Sequence, residues 1–293
     1  MNSRIAIVTV LFNSDGVLEG FFQSLSKQVF KNYHVFFIDN QQLPHTEGLV
    51  RKWAGKYPIP GYTYIQNQKN AGVATGNNQG IQLSLEGNYT HTLLANNDIE
   101  FHQDYLLGKM AERAVTTNES LIIPKIYYYD TRKIWMAGGY FRRNRGIVGH
   151  VADGEDDNPS NSKETYFEYA PTCFMLIANE VFKRIGIMDE KYFVYYDDVD
   201  FLYRALNSGY KILYMPNLSV LHKVSSSTGG SESTFSIYYN TRNRIYFLRK
   251  NFGPGRFIVA LAFTLASRLI RAFGYNKKQN QQLFKAIGDG FRL

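Results

Sequence analysis

The feature that most constrains this chain is where its polar clusters fall. Short apolar runs alternate with amphipathic stretches, and three of the runs end abruptly in Asn or Asp. Ile5–Phe12 (IAIVTVLF) gives way to Asn13–Ser14–Asp15–Gly16, Val35–Ile38 stops at Asp39–Asn40, and His91–Ala95 runs into Asn96–Asn97–Asp98. Helical patterns lie between them, around Leu18–Val29, Glu47–Lys56 and from Asn70 to Gly80, with a further strand at Thr63–Ile65. Strand–helix alternation with short links predicts βαβ units and a mostly parallel sheet with helices on both faces. In such sheets ligands bind beyond the carboxyl ends of the strands. Those three polar clusters are therefore expected to share one site.

With 293 residues, 44% of them hydrophobic, the chain is long enough for one large domain and a small appendage. The reading divides it into 1–235, with a binding half 1–98 and a catalytic half 99–235, followed by a helical region 236–293. Cys173 is the single cysteine, which excludes an internal disulfide and an all-cysteine zinc site. No secretory leader pattern precedes the first strand, so a cytoplasmic location is expected. The formal charge of +8 is concentrated at the end: from Asn240 onward the only acidic residue is Asp289. The main body lacks the basic stripe of a nucleic-acid binder.

Beyond residue 100, a helix near Asp104–Thr116 and strands near Leu121–Ile126 and Lys133–Met136 precede a loop-rich segment, Arg142–Lys163. Its acidic run Asp153–Asp157 lacks the spacing of a calcium loop and is expected to be solvated. The chemistry concentrates in Tyr192–Arg204 (YFVYYDDVDFLYR), where an aromatic wall delivers Asp197, Asp198 and Asp200 to the predicted start of a helix. Asp200 and Arg204 are spaced to pair on one helix face. His222 ends a short strand, and the Ser/Gly-rich run Ser225–Gly230 after it could close over a ligand.

Taken in order, these segments resemble a family 2 glycosyltransferase of the GT-A type, nearest the bacterial rhamnosyltransferase-like branch. The carrying motifs are VTVLFNS ending at Ser14, Asp39–Asn40, NAGVATGNNQGI at Asn70–Ile81, LLANND at Leu93–Asp98 and AGG at Ala137–Gly139. They continue with FVYYDDVDFLYR at Phe193–Arg204, LH at Leu221–His222 and YYNTRNRIYFLRK at Tyr238–Lys250. The resemblance implies an inverting hexosyl transfer from a nucleotide sugar, with Asp98 and His222 holding Mn²⁺ or Mg²⁺ and Asp198 as general base. It further implies that Leu11, Phe12, Asn13 and Asp39 meet the base and ribose, with Asn70, Gly72, Asn77 and Asn97 toward the diphosphate. Asp197, Asp200 and Tyr196 would lie on the acceptor side or directly behind the base. Two departures stand out: Asn-Asn-Asp replaces the two acids many relatives carry in the metal motif, and Asn77 stands where others have Arg.

The donor implied is dTDP-rhamnose, with a galactofuranosyl or other UDP-hexose transfer as the alternative, and the acceptor a polysaccharide or lipid-linked glycan precursor. A glycosidase would need no nucleotide pocket, and a nucleotidyltransferase would carry a Gly-rich basic loop after the first strand. A non-catalytic sugar-nucleotide binder or membrane adaptor is the reading from another class. In the tail, Arg256, Thr264, Ser267, Arg268 and Arg271 share one side of a helical wheel opposite Phe/Leu/Ile. That pattern predicts a helix lying on an anionic membrane surface, placing the protein on the inner face of the cell membrane. Packing on the catalytic domain or in a homodimer is the alternative.

Overall fold

The computed structural model describes residues 3–41, 43–224 and 232–293. Its first half runs β1 (Ile5–Leu11), α1 (Leu18–Ser26), β2 (Tyr33–Asp39), α2 (Thr46–Lys56), β3 (Tyr62–Gln66), α3 (Val73–Glu86) and β4 (His91–Ala95). The strands are continuous apolar runs because helices cover both sides of them. α1 buries Leu18, Phe21, Phe22 and Leu25, and the Phe22 ring stacks on Phe37 of β2 at 5.1 Å. α3 lies unusually close to the sheet because it carries glycine there. A Cβ added at Gly80 would come within 2.3 Å of the Val8 side chain.

These four strands are parallel, in the order β4-β1-β2-β3. The register pairs Leu11 with Asp39 and Val8 with Leu94. It therefore sets the three polar strand ends side by side on one edge of the sheet.

The second half contributes β5 (Ile99–Phe101), α4 (Leu106–Thr116), β6 (Leu121–Tyr128), β7 (Ile134–Met136), β8 (Gly139–Arg142), β9 (Ile147–His150), β10 (Thr165–Phe167), β11 (Phe174–Ala178), α5 (Asn179–Ile185), α6 (Asp197–Asn207) and β12 (Ile212–His222). β11 inserts antiparallel between β4 and β6, and β12 lies parallel beside β6 with β5 antiparallel on it. The molecule is thus a mixed α/β sheet whose amino-terminal half is parallel.

Two expectations change. The loop-rich segment after Arg142 contains β9, which forms a hairpin with β8. The acidic run is not simply solvated: Asp157 accepts two hydrogen bonds from Lys125 at 2.7 and 2.8 Å and one from Tyr127 at 2.5 Å. Lys125 lies inside β6 with almost no water contact, and a buried ammonium needs a carboxylate partner.

Three helices complete the chain: α7 (Thr234–Asn251), α8 (Pro254–Ala272) and α9 (Lys277–Arg292). The hydrophobic core crosses the expected boundary at 235, taking in Tyr246, Phe247, Leu248, Phe252 and Ala260. α8 turns part of its polar side toward the protein and leaves apolar residues exposed. Thr264 of its polar side is fully buried, and Arg268 is half-buried. Arg256 and Arg271 at its two ends stay exposed, and so do the apolar Ile258, Val259, Leu269, Ile270 and, just after the helix, Phe273, the last 93% exposed. Thr264 can turn inward because its hydroxyl donates to Ala260 O within the helix, at 2.7 Å. Phe263 packs beneath the guanidinium groups of Arg145 and Arg244. A helical wheel shows which face is polar, not which face the protein covers. Among the described residues no helix is long and apolar enough to cross a membrane.

Candidate active site

At the edge where the polar strand ends meet, Leu11 is buried at the end of β1, while Phe12 and Asn13 are exposed. Asn13 adopts a left-handed φ of 51° that turns the chain away from the sheet. Asp39 stands at the expected strand end but is fully buried. Its carboxylate accepts from Tyr64 OH at 2.5 Å and from Gln41 N at 2.7 Å. These two donors leave acceptor lone pairs on the carboxylate, but it has no exposed surface through which a base could reach them. Asn97 is buried and donates to Ser14 Oγ at 2.6 Å, tying the loop after β4 to the loop after β1.

Three other residues expected at the diphosphate serve the backbone or the packing. Asn70 Oδ1 accepts from Gly72 N at 3.0 Å. Gly72, at φ 85°, abuts the Phe193 carbonyl so closely that a Cβ would lie 2.4 Å from it. Asn77 is buried and donates to Met188 Sδ at 3.7 Å. Its short amide fits that contact between α3 and the segment before α6.

Strand pairing builds the corner where Asp98 meets His222. β5 follows Asp98 directly and pairs with β12 so that Ile99 faces His222, and Lys223 N donates to Asp98 O at 3.1 Å. The result sets Asp98 Oδ1 3.2 Å from His222 Nε2. That contact lacks hydrogen-bond geometry. Asp98 Oδ1 and His222 Nδ1 are both buried without a hydrogen-bond partner. Orphaned buried polar atoms are costly, and a carboxylate beside an imidazole in that state suits a divalent cation. Among the described residues no cluster of three or more His, Cys, Asp or Glu forms a ready metal cage. Two protein ligands leave the remaining positions of a cation to water and substrate oxygens.

Opposite this corner, α6 begins with Asp197 and Asp198 immediately after Tyr195 and Tyr196. Asp198 is half-buried and doubly held: Oδ1 accepts from Val199 N at 2.7 Å and Oδ2 from Tyr169 OH at 2.7 Å. Burial pushes the Asp197 carboxyl up to about 8, with the Asp198 charge adding to the effect. Burial also raises Asp198, against the opposing hydrogen bonds from Tyr169 and Val199. Adjacent carboxyls that resist joint ionisation divide the work, and the donors on Asp198 make it the one that carries the charge. Asp200 has a different task. Fully buried, it binds Arg204 at 2.9 Å, Lys250 at 3.0 Å and Asn251 at 2.8 Å, locking α6 to α7. Tyr196 OH donates to Gly146 O at 3.1 Å.

Aromatic rings join the two corners. Trp135 meets His222 edge-on at 4.6 Å and His150 at 5.1 Å, and His150 stacks on Tyr169 at 6.2 Å. Cys173 O accepts from Asn96 N at 2.8 Å, and burial raises the Cys173 thiol, with the charges of Asp98 and Asp198 reinforcing the shift. A run of contacts through Trp135, His150 and Tyr169 thus links the Asp98–His222 pair to Asp198. Trp135, His150 and Tyr169 escape a sequence reading because they come from irregular chain around β7–β11 where no periodicity marks a face. The loop expected to close over the site, Ser225–Gly230, lies outside the described residues.

The chain belongs to glycosyl transferase family 2, whose sequence model matches residues 6–186. It is 28% identical over 225 residues to the low-salt glycan biosynthesis hexosyltransferase Agl10 of Haloferax volcanii, covering 75% of this chain and 69% of the relative. Against dTDP-rhamnosyl transferase RfbF of Shigella flexneri it is 25% identical over 267 residues, covering 87% and 83%. A shorter match, 26% identical over 113 residues and 37% of each chain, is to N-acetylglucosaminyl-diphospho-decaprenol L-rhamnosyltransferase of Mycobacterium tuberculosis.

Among solved structures, S. aureus TarS 1–349 with UDP-GlcNAc superposes with a TM-score of 0.64 at 15% identity, over 99% of this chain and 81% of that one. GalNAc-T7 with UDP, GalNAc and Mn²⁺ gives 0.64 at 14% identity, over 84% of this chain and 48% of its own. These likenesses show the GT-A-type fold.

Proposed function

We propose that this family 2 glycosyltransferase is divalent-metal-dependent and inverting, and that it moves rhamnose from dTDP-rhamnose onto a lipid-linked or polysaccharide glycan precursor. The observation that supports the mechanism is the run of contacts from the Asp98–His222 pair through Trp135, His150 and Tyr169 to the carboxylate of Asp198. The rhamnose reading draws on the similarity to the two rhamnosyltransferases.

Transfer of a glycosyl group from a nucleoside diphosphate needs the departing charge stabilised and the acceptor hydroxyl deprotonated. Asp98 and His222 would hold Mn²⁺ or Mg²⁺, which neutralises charge developing on the leaving diphosphate. Asp198 accepts the acceptor's proton as the new C–O bond forms, while Tyr169 and Val199 hold the carboxylate in line. Attack from the Asp198 side, opposite the diphosphate, inverts the anomeric centre. Hydrolysis by an acid and a base flanking the bond is a poor match, because Asp197 and Asp198 sit side by side at one helix start.

Turnover measured with a panel of nucleotide sugars tests the donor. The expected result is transfer, or slow donor breakdown, with dTDP-rhamnose well above any UDP-hexose. Preference for UDP-galactofuranose or another UDP-hexose would replace the donor and leave the site intact.

The same reading places the enzyme on an anionic membrane surface, through the apolar side of α8 and not its buried polar side. Ile258, Val259, Leu269, Ile270 and Phe273 face outward, with exposed Arg271, Lys277 and Lys278 at the end of the stripe. Apolar insertion flanked by lysine and arginine is the usual composition of an interfacial helix. α9 buries Leu283 and Ala286, so point substitutions test the idea more cleanly than truncation. Ile270→Asp with Phe273→Asp is expected to lower retention on anionic liposomes about tenfold or more. Unchanged retention, or a wild-type chain that dimerises through this stripe without binding liposomes, would contradict the membrane reading.

A further inference from the structure

We propose that Asn243 on α7 is a positioning residue for Asp198, acting by holding the strained backbone turn from which α6 departs. The inference rests on the reading of Asp198 as general base. Tyr195 and Tyr196 are consecutive non-glycine residues in the left-handed region, at φ 63° and 68°. The Cβ atom disfavours that conformation, so two aromatic residues in succession keep it only when their surroundings impose it.

The fully buried Asn243 side chain supplies the restraint. Its amide nitrogen donates to Val194 O and Tyr195 O, both at 2.8 Å. One amide group reaches two successive carbonyls only when they point the same way, which an extended chain does not allow. Arg242 fixes the orientation of that amide by donating from Nε to Asn243 Oδ1 at 2.8 Å. It also reaches back to Lys191 O at 2.7 Å. From the opposite side Val73 N grips Phe193 O at 2.7 Å. The turn is therefore clamped between the amino-terminal half and α7, and Asp198 follows it by two residues. On this account the carboxyl-terminal helices are part of the machinery that aims the base.

The test uses the full chain. Asn243→Asp preserves size but removes both donors, and Asn243→Ala removes the clamp. Each is expected to lower kcat by about 100-fold or more, as misplacement of a catalytic group does, with nucleotide affinity within about twofold of wild type. Glycine adopts a positive φ without a Cβ penalty, so Tyr195→Gly placed on Asn243→Ala is expected to recover about tenfold or more of the lost turnover. If Asn243→Ala melts too early to assay, recovery of a cooperative melt by Tyr195→Gly supports the proposal equally, and no recovery overturns it.

Wild-type kcat in Asn243→Asp, or a loss that Tyr195→Gly does not relieve and that extends to nucleotide binding, would also overturn it. Asp198→Asn run alongside keeps the two readings apart. Full turnover in Asp198→Asn removes the base assignment whatever Asn243 does. Loss there with full turnover in both Asn243 variants removes only the clamp.

Discussion

Asp198→Asn is expected to bind nucleotide and metal as the wild type does and to transfer sugar about a thousandfold more slowly. The substitution keeps the shape of the side chain and its place at the start of α6, but an amide cannot take up the acceptor proton. In the wild type the base must be ionised to work. Burial raises the Asp198 carboxyl above its ordinary value, so activity should be full on the alkaline side and fall as pH drops. The fall should begin at a higher pH than for a free aspartate, near 4. Turnover against pH, with nucleotide affinity measured at each point, checks both statements. Undiminished transfer by Asp198→Asn would remove this residue from the mechanism. An acid limb no higher than that of a free carboxylate would show that burial has not raised the working group.

The second large effect concerns the corner built by β5 and β12. Asp98→Ala and His222→Ala are each expected to abolish the part of nucleotide affinity that depends on Mn²⁺ and to lower turnover about a hundredfold or more. Affinity without metal should change little, because neither residue is needed to hold the base or ribose. Equal nucleotide affinity of the wild type with and without Mn²⁺ would remove the metal from the account. His222→Ala should also leave Trp135 without the ring it meets edge-on, so a change in tryptophan fluorescence offers a readout independent of activity.

The parts of this protein that follow a period were legible in its sequence. Apolar runs such as Ile5–Leu11 and His91–Ala95 have one stable use, as strands covered on both faces, and their parallel pairing brings the polar ends together. Asp197, Asp198 and Asp200 announced a helix start because only a few positions accept that much negative charge. Their division of labour was not legible, since Asp200 is spent on Lys250 and Asn251, contacts from a distant helix.

The contribution of Tyr169 to Asp198 depends on a meeting of irregular chain and a helix start 29 residues on, which no local pattern encodes. Gly72 and Asn77 show the converse. Their positions matched a motif, while the atoms around them, Phe193 O and Met188 Sδ, show a packing role that the motif did not announce. α8 was found as a helix and given its polar face correctly, yet the covered side depended on Thr264 satisfying its hydroxyl within the helix.

A crystal grown with Mn²⁺ and a pyrimidine nucleoside diphosphate, with anomalous scattering recorded at the manganese edge, tests the central arrangement most directly. A peak bonded to Asp98 and His222, with the diphosphate between it and the Asp198 carboxylate, is the predicted result. A metal and nucleotide seated elsewhere, or nucleotide bound on this edge with no cation between Asp98 and His222, would contradict it.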